Sequence, residues 1–120
     1  VGYEADDDGN NALHRAAMGA AKRTLKLCLR MNMDVNLYNG IGKTPLHLAV
    51  ESSRLNRDLV ASYIAEHGAW LEAPDYDGVT PLILAAKLGR AVVAEALCQQ
   101  GAELEACNHE GQTALLVASA

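Results

Sequence analysis

The chain has 120 residues, half of them apolar, which is enough for one packed core and too short for two ordinary domains. No apolar run reaches the roughly 18 residues of a membrane-spanning helix, so no membrane insertion is expected. The net charge of −5 is too acidic for the phosphate neutralisation that nucleic-acid binding needs, so no nucleic-acid partner is expected.

Residues 1–10 hold Glu4, Asp6, Asp7 and Asp8 and no base, the opposite of a signal peptide's start. An Asp8-Gly9 turn leads to Asn11, a residue type that caps helix N-termini. A short helix follows with Leu13, Ala16 and Ala17; Gly19 breaks it, and a second helix is predicted over residues 22–31. Residues 11–33 carry +5 through Arg15, Lys22, Arg23, Lys26 and Arg30, a solvated helix face or a seat for an acidic patch on a partner. The second unit starts at Ile41-Gly42, with Thr44 as cap and Pro45 at the first helical position, where a missing N–H is harmless. Leu46, Leu48 and Ala49 follow, then a break at Ser52-Ser53 and a helix predicted over residues 56–66. The third unit repeats this with Asp77-Gly78, Thr80, Pro81, Leu82, Leu84 and Ala85, a break at Gly89, and a helix over residues 91–99. Gly68 and Gly101 stand where a helix ends in a left-handed residue. A fourth unit begins at Glu110-Gly111 with Thr113, Leu115 and Leu116 and stops at Ala120 before a second helix; with no initiator Met, the sequence reads as a piece of a longer chain.

The indexing leucines Leu13, Leu46, Leu82 and Leu115 are spaced 33, 36 and 33 residues apart. That period marks a stack of small units, none of which buries its apolar face alone. Thr44-Pro45-Leu46-His47-Leu48-Ala49 recurs as Thr80-Pro81-Leu82-Ile83-Leu84-Ala85, and Gly68-Ala69 as Gly101-Ala102. These residues resemble the ankyrin-repeat family, over nearly the whole chain. The resemblance implies an all-α solenoid of stacked helix-turn-helix units with short hairpin-like turn arms. The repeats fall at about 6–38, 39–74 and 75–107, with a partial one at 108–120. Repeat two is three residues longer, placed as a longer inter-helix loop around residues 52–56; Ile83 and Leu116 replace the motif histidine, and Asn32-Met33 replaces Gly-Ala.

No catalytic group set is visible: there is no nucleophile with a base, no paired carboxylates on one helix face and no phosphate-cradling Gly-rich loop. Asp6-Asp7-Asp8 points its side chains in different directions and reads as a polar capping arm, not a cation site. Cys107 and His109 are two potential ligands, short of a zinc set. No metal, cofactor or small-molecule substrate is therefore expected. Cys28 and Cys98 are expected among apolar neighbours, and the odd count of three cysteines fits a reducing, intracellular setting, cytoplasmic or nuclear. The resemblance makes His14 and His47 structural imidazoles tying neighbouring turns together.

The resemblance also implies that partners dock on the turn tips and on the inner face of the first helices. Carried over by position, the tips present Asp8, Asn10, Ile41, Lys43, Tyr76, Asp77, His109 and Glu110, and the groove presents Arg15, Met18, Glu51 and Lys87. Trp70, the one tryptophan, sits on an arm where the repeat's own core does not explain an indole. It is either a partner anchor or packs on the next arm through Tyr38 or Tyr76. The expected function is non-catalytic protein recognition, as scaffold, adaptor or targeting domain. The alternative is a regulatory segment docking on another domain of its own chain.

Overall fold

The computed structural model describes residues 8–103, and among them it contains six α-helices and no strand. They are α1 (Ala12–Met18), α2 (Lys22–Arg30), α3 (Pro45–Glu51), α4 (Arg57–Glu66), α5 (Pro81–Lys87) and α6 (Ala91–Gln99). The fourth unit, with Thr113 and Leu115, lies outside the described residues. Two helices differ from the sequence expectation. α2 ends one residue early, at a Met31 cap, and α4 starts one residue late, because Asn56 occupies the cap position without a side-chain bond to the helix.

Each pair folds into an antiparallel hairpin, α1 on α2, α3 on α4 and α5 on α6. The hairpins stack side by side, so that α1, α3 and α5 form an inner row and α2, α4 and α6 an outer row. All three inter-helix loops therefore lie at one edge of the stack, and the turn tips lie at the other. One continuous core runs between the rows through Leu13, Leu25, Leu46, Ile64, Ile83 and Leu97. Ala16, Ala17, Ala49 and Ala85 are buried too, and their small side chains let the inner helices approach closely.

The inner helices begin alike. Asn11, Thr44 and Thr80 each have extended backbone and accept a hydrogen bond from the N–H three residues on. That satisfies one of the donors that a helix start leaves unpaired. In α1 and α3 the imidazole at the third helical position closes the box by accepting from the cap's own N–H.

The helix ends show where the sequence is locally at odds with the fold. After α2, Asn32 N–H bonds to the Leu29 carbonyl and Met33 N–H to the Cys28 carbonyl. This double closure needs a left-handed residue between the helix and the arm, and Asn32 supplies it at φ 59°. Glycine fills the equivalent place at Gly68 and Gly101. In repeat one the left-handed residue of the inter-helix loop is Ala20, at φ 50°, and not Gly19, whose φ of −86° is ordinary. A Cβ in that region is strained. Cys98 also corrects the sequence reading: Cys28 is buried, and burial pushes its thiol pKa up, whereas Cys98 lies on the outer, exposed side of α6. Replacing the exposed Asn32 by glycine relieves the left-handed strain and touches no core contact. Asn32→Gly is expected to raise stability by about 0.5–1 kcal/mol, read as a higher urea midpoint.

Candidate partner-binding surface

The tips are built from backbone turns that polar side chains hold in shape. Asn39 Oδ1 accepts from the N–H groups of Ile41 and Lys43, at 3.1 and 2.9 Å. Asp75 Oδ1 does the same for Asp77 and Val79, at 2.8 and 2.9 Å. Asn and Asp favour such turns because a short side-chain oxygen can stand in for a backbone acceptor.

Three further devices fix each tip to the next. His14 Nε2 lies 2.7 Å from the Leu37 carbonyl, and His47 Nε2 lies 2.8 Å from that of Val79. A carbonyl only accepts, so each Nε2 carries the proton. The other ring nitrogen, Nδ1, then accepts from Asn11 or Thr44 N–H. Both contacts need a neutral ring, and burial accordingly lowers the His47 pKa from its ordinary 6.5. On the arms, Asn36 Oδ1 accepts from Trp70 N–H at 2.6 Å, and Glu72 Oε2 accepts from Glu103 N–H at 2.9 Å. At the start of the array, Gly40 N–H donates to the Asp8 carbonyl at 2.8 Å. The two backbones come so close there that a Cβ on Gly9 would fall 2.5 Å from the Gly40 nitrogen.

On this frame Asp8, Ile41, Tyr76 and Asp77 are exposed on the tips, and Lys43 is half-buried. Asn10 is not a surface residue. Its side chain is 2% exposed and accepts a bond from Asn39 Nδ2 at 2.7 Å, so it cements two tips together. His109 and Glu110 lie outside the described residues. The Tyr76 ring, 70% exposed, covers Gly42 of the preceding tip closely enough that a Cβ there would strike it. Tyr38 donates its hydroxyl to the Pro74 carbonyl at 2.8 Å. Trp70 is 53% exposed, and among the described residues the one ring stack is Tyr63 on His67, so its indole does not stack on either tyrosine.

The groove candidates divide. Lys43 Nζ and Glu51 form an ion pair that links a tip to the α3 face. Arg15, Met18 and Lys87 are exposed on the inner row. Met18, Leu48, Glu51 and Ser52 line a shallow depression of about 200 Å³ between α1 and α3. Among the described residues no group of three or more His, Cys, Asp or Glu side chains stands close enough to hold a metal ion.

Residues 1–75 match the family described as "Ankyrin repeats (3 copies)" and residues 77–109 match "Ankyrin repeat". The chain belongs to the ankyrin-repeat family. Its array is similar to a segment of the neurogenic locus notch homolog protein 1 of Xenopus laevis, 37% identical over 84 residues, and to that of Homo sapiens, 36% identical over the same length. The neurogenic locus Notch protein of Drosophila melanogaster is 35% identical over 82 residues. These matches take in 68–70% of this chain but only 3% of each relative's length. Ankyrin repeats are generally protein–protein interaction modules and typically not catalytic.

Sequence reasoning missed the arm bonds of Asn36 and Glu72. Their signal was present, since Glu72 stands 36 residues after Asn36, one repeat period on, and both carry a side-chain oxygen.

Two outcomes follow from the polar locks. Because the folded His47 ring resists protonation, the unfolded chain takes up that proton first, and stability falls as pH drops below about 6.5. Urea melts of His47→Ile, which copies the third repeat, should show a loss of about 1–3 kcal/mol at neutral pH and a flatter pH slope. A slope equal to that of the parent would assign the acid sensitivity to other groups. Asn39→Asp keeps the turn acceptor but removes the donor to Asn10 and buries a charge. It should lower stability by about 1–3 kcal/mol in the same assay, while Asp75→Asn stays close to neutral.

Proposed function

We propose that this array recognises a protein partner through its turn tips, with the inner face of α1, α3 and α5 flanking the contact. The observation that carries the reading is Trp70. Its backbone is tied down by Asn36 while its indole is half exposed, and Tyr76 on the following tip is more exposed still. Tryptophan and tyrosine on a rigid support are the anchors that interfaces enrich, because little side-chain freedom is lost when they are covered. The polar locks hold the tips before any partner arrives, which lowers the entropic penalty of association.

The chemistry of the tips suits a partner with basic and apolar groups. Asp8, Asp34 and Asp77 are exposed acids on the tips and arms of this edge, with Lys43 taken up by Glu51. The array works inside the cell on this reading, in the cytoplasm or nucleus, supported by two thiols, Cys28 and Cys98, that are free. A second role, docking on another domain of its own protein, is supported by the far greater length of the relatives.

Affinity capture with the parent chain, followed by titration of each captured protein against variants, tests the proposal. Trp70→Ala and Tyr76→Ala should each weaken binding by about 1–3 kcal/mol and leave the melting temperature nearly unchanged. Leu46→Ala and Leu82→Ala, both in the core, should instead lower folding stability by roughly 2–5 kcal/mol. Partners that bind the two aromatic variants as tightly as the parent would refute the tip surface and shift attention to Arg15, Met18, Glu51 and Lys87.

A further inference from the structure

The edge opposite the tips carries the opposite charge. Its three inter-helix loops and the helix ends beside them hold Lys22, Arg23, Arg54, Arg57, Lys87 and Arg90. The acids there are Glu51 and Asp58, and both are engaged: Glu51 with Lys43 and Asp58 with Arg57, whose Nε lies 3.7 Å from a carboxylate oxygen. Among the described residues no carboxylate pairs with Lys22, Arg23, Arg54 or Lys87. In sequence these charges are scattered over nearly seventy positions between Lys22 and Arg90. Stacking parallel hairpins gathers them into one strip.

Local stability does not explain this placement. Lys22, Arg23 and Arg57 stand in the first turns of α2 and α4, where the helix dipole favours an acid. α2, α4 and α6 also begin without a side-chain cap, although the Arg57 N–H of α4 is taken up by the Arg54 carbonyl. The edge is also apolar in places. The extended loop of repeat two lifts Leu55 until it is 98% exposed, between Arg54 and Arg57. Leu59 on α4, Leu88 at the C-cap of α5 and Val92 on α6 are exposed as well. A leucine that no part of the fold covers, next to the unpaired Arg54, fits an occupant that brings both apolar side chains and negative charge.

We infer that the inter-helix edge is a second docking surface, which takes an acidic protein segment with interspersed apolar side chains. Charge complementarity selects the occupant, and the acidic tip edge repels the same segment, so the two edges take different partners. A segment of protein fits better than an anionic bilayer. Among the described residues the exposed aromatic side chains of the kind that settle at membrane interfaces, Trp70, Tyr38 and Tyr76, are on the tip side.

Fluorescence anisotropy with the full chain and a labelled amphipathic peptide of Glu and Leu tests the inference. A Lys/Leu peptide of equal length and phosphatidylserine-containing vesicles serve as the other arms. The Glu/Leu peptide should bind saturably and weaken roughly tenfold between low and high salt, as exposed charge pairs do when screening shortens their reach. Arg54→Glu combined with Arg57→Glu, and separately Leu55→Asp, should each reduce affinity at least about tenfold, with circular dichroism unchanged; Asp77→Lys on the far edge should not reduce it. Amide shifts on titration should fall at residues 52–59 and 87–92. Absence of saturable binding would overturn the inference, as would equal binding of the Lys/Leu peptide, preference for vesicles, or loop variants that bind like the parent.

Discussion

A helix of seven residues has no stability of its own in water, because nucleation fixes several residues for a single hydrogen bond. α1, α3 and α5 are all that short, so each exists only because it is covered on several sides. The hairpin partner covers one side and the neighbouring inner helices cover the others. Side-by-side stacking is thus the condition under which any part of the chain is folded. It explains why the inner row is alanine-rich and nearly fully buried while the longer outer helices keep one face in solvent.

Apolar stacking alone leaves the hairpins free to slide, since leucine against alanine has little directional preference. Directional polar contacts remove that freedom. The imidazoles of His14 and His47, the Asn10–Asn39 pair and the arm acceptors Asn36 and Glu72 each reach across to the next repeat. All of them act at the tip edge. That edge is therefore the most rigidly specified part of the surface, and its exposed aromatic groups sit on a fixed base.

The inter-helix edge is held more sparsely. Ser52 Oγ donates to the Met18 carbonyl at 2.9 Å, and Arg90 Nε donates to that of Val50 at 3.2 Å. Isolated surface charges contribute little to stability, so the distribution of Lys and Arg along this edge is almost unconstrained by folding. The two edges accordingly follow different rules: at the tips polar groups are consumed by structure, and at the loops they are left over.

The repeat period, the capping residues Asn11, Thr44 and Thr80, the prolines and the helix-ending glycines were legible in the chain because each acts within a few residues of itself. The family and the helical architecture followed from them. What lies between repeats was not legible. Asn10 looked like a tip residue and is buried, because the burying groups stand 29 positions away. Cys98 looked apolar by its neighbours and is exposed, because side-chain direction depends on where α6 meets α4. The net charge of −5 concealed two edges of opposite sign, since a sum along the chain carries no information on direction in space. Sequence by itself determined the unit and its repetition, which are local and periodic. Only the tertiary structure decided which polar groups are spent between units and which face outward, because that depends on the parallel alignment of hairpins more than thirty residues apart.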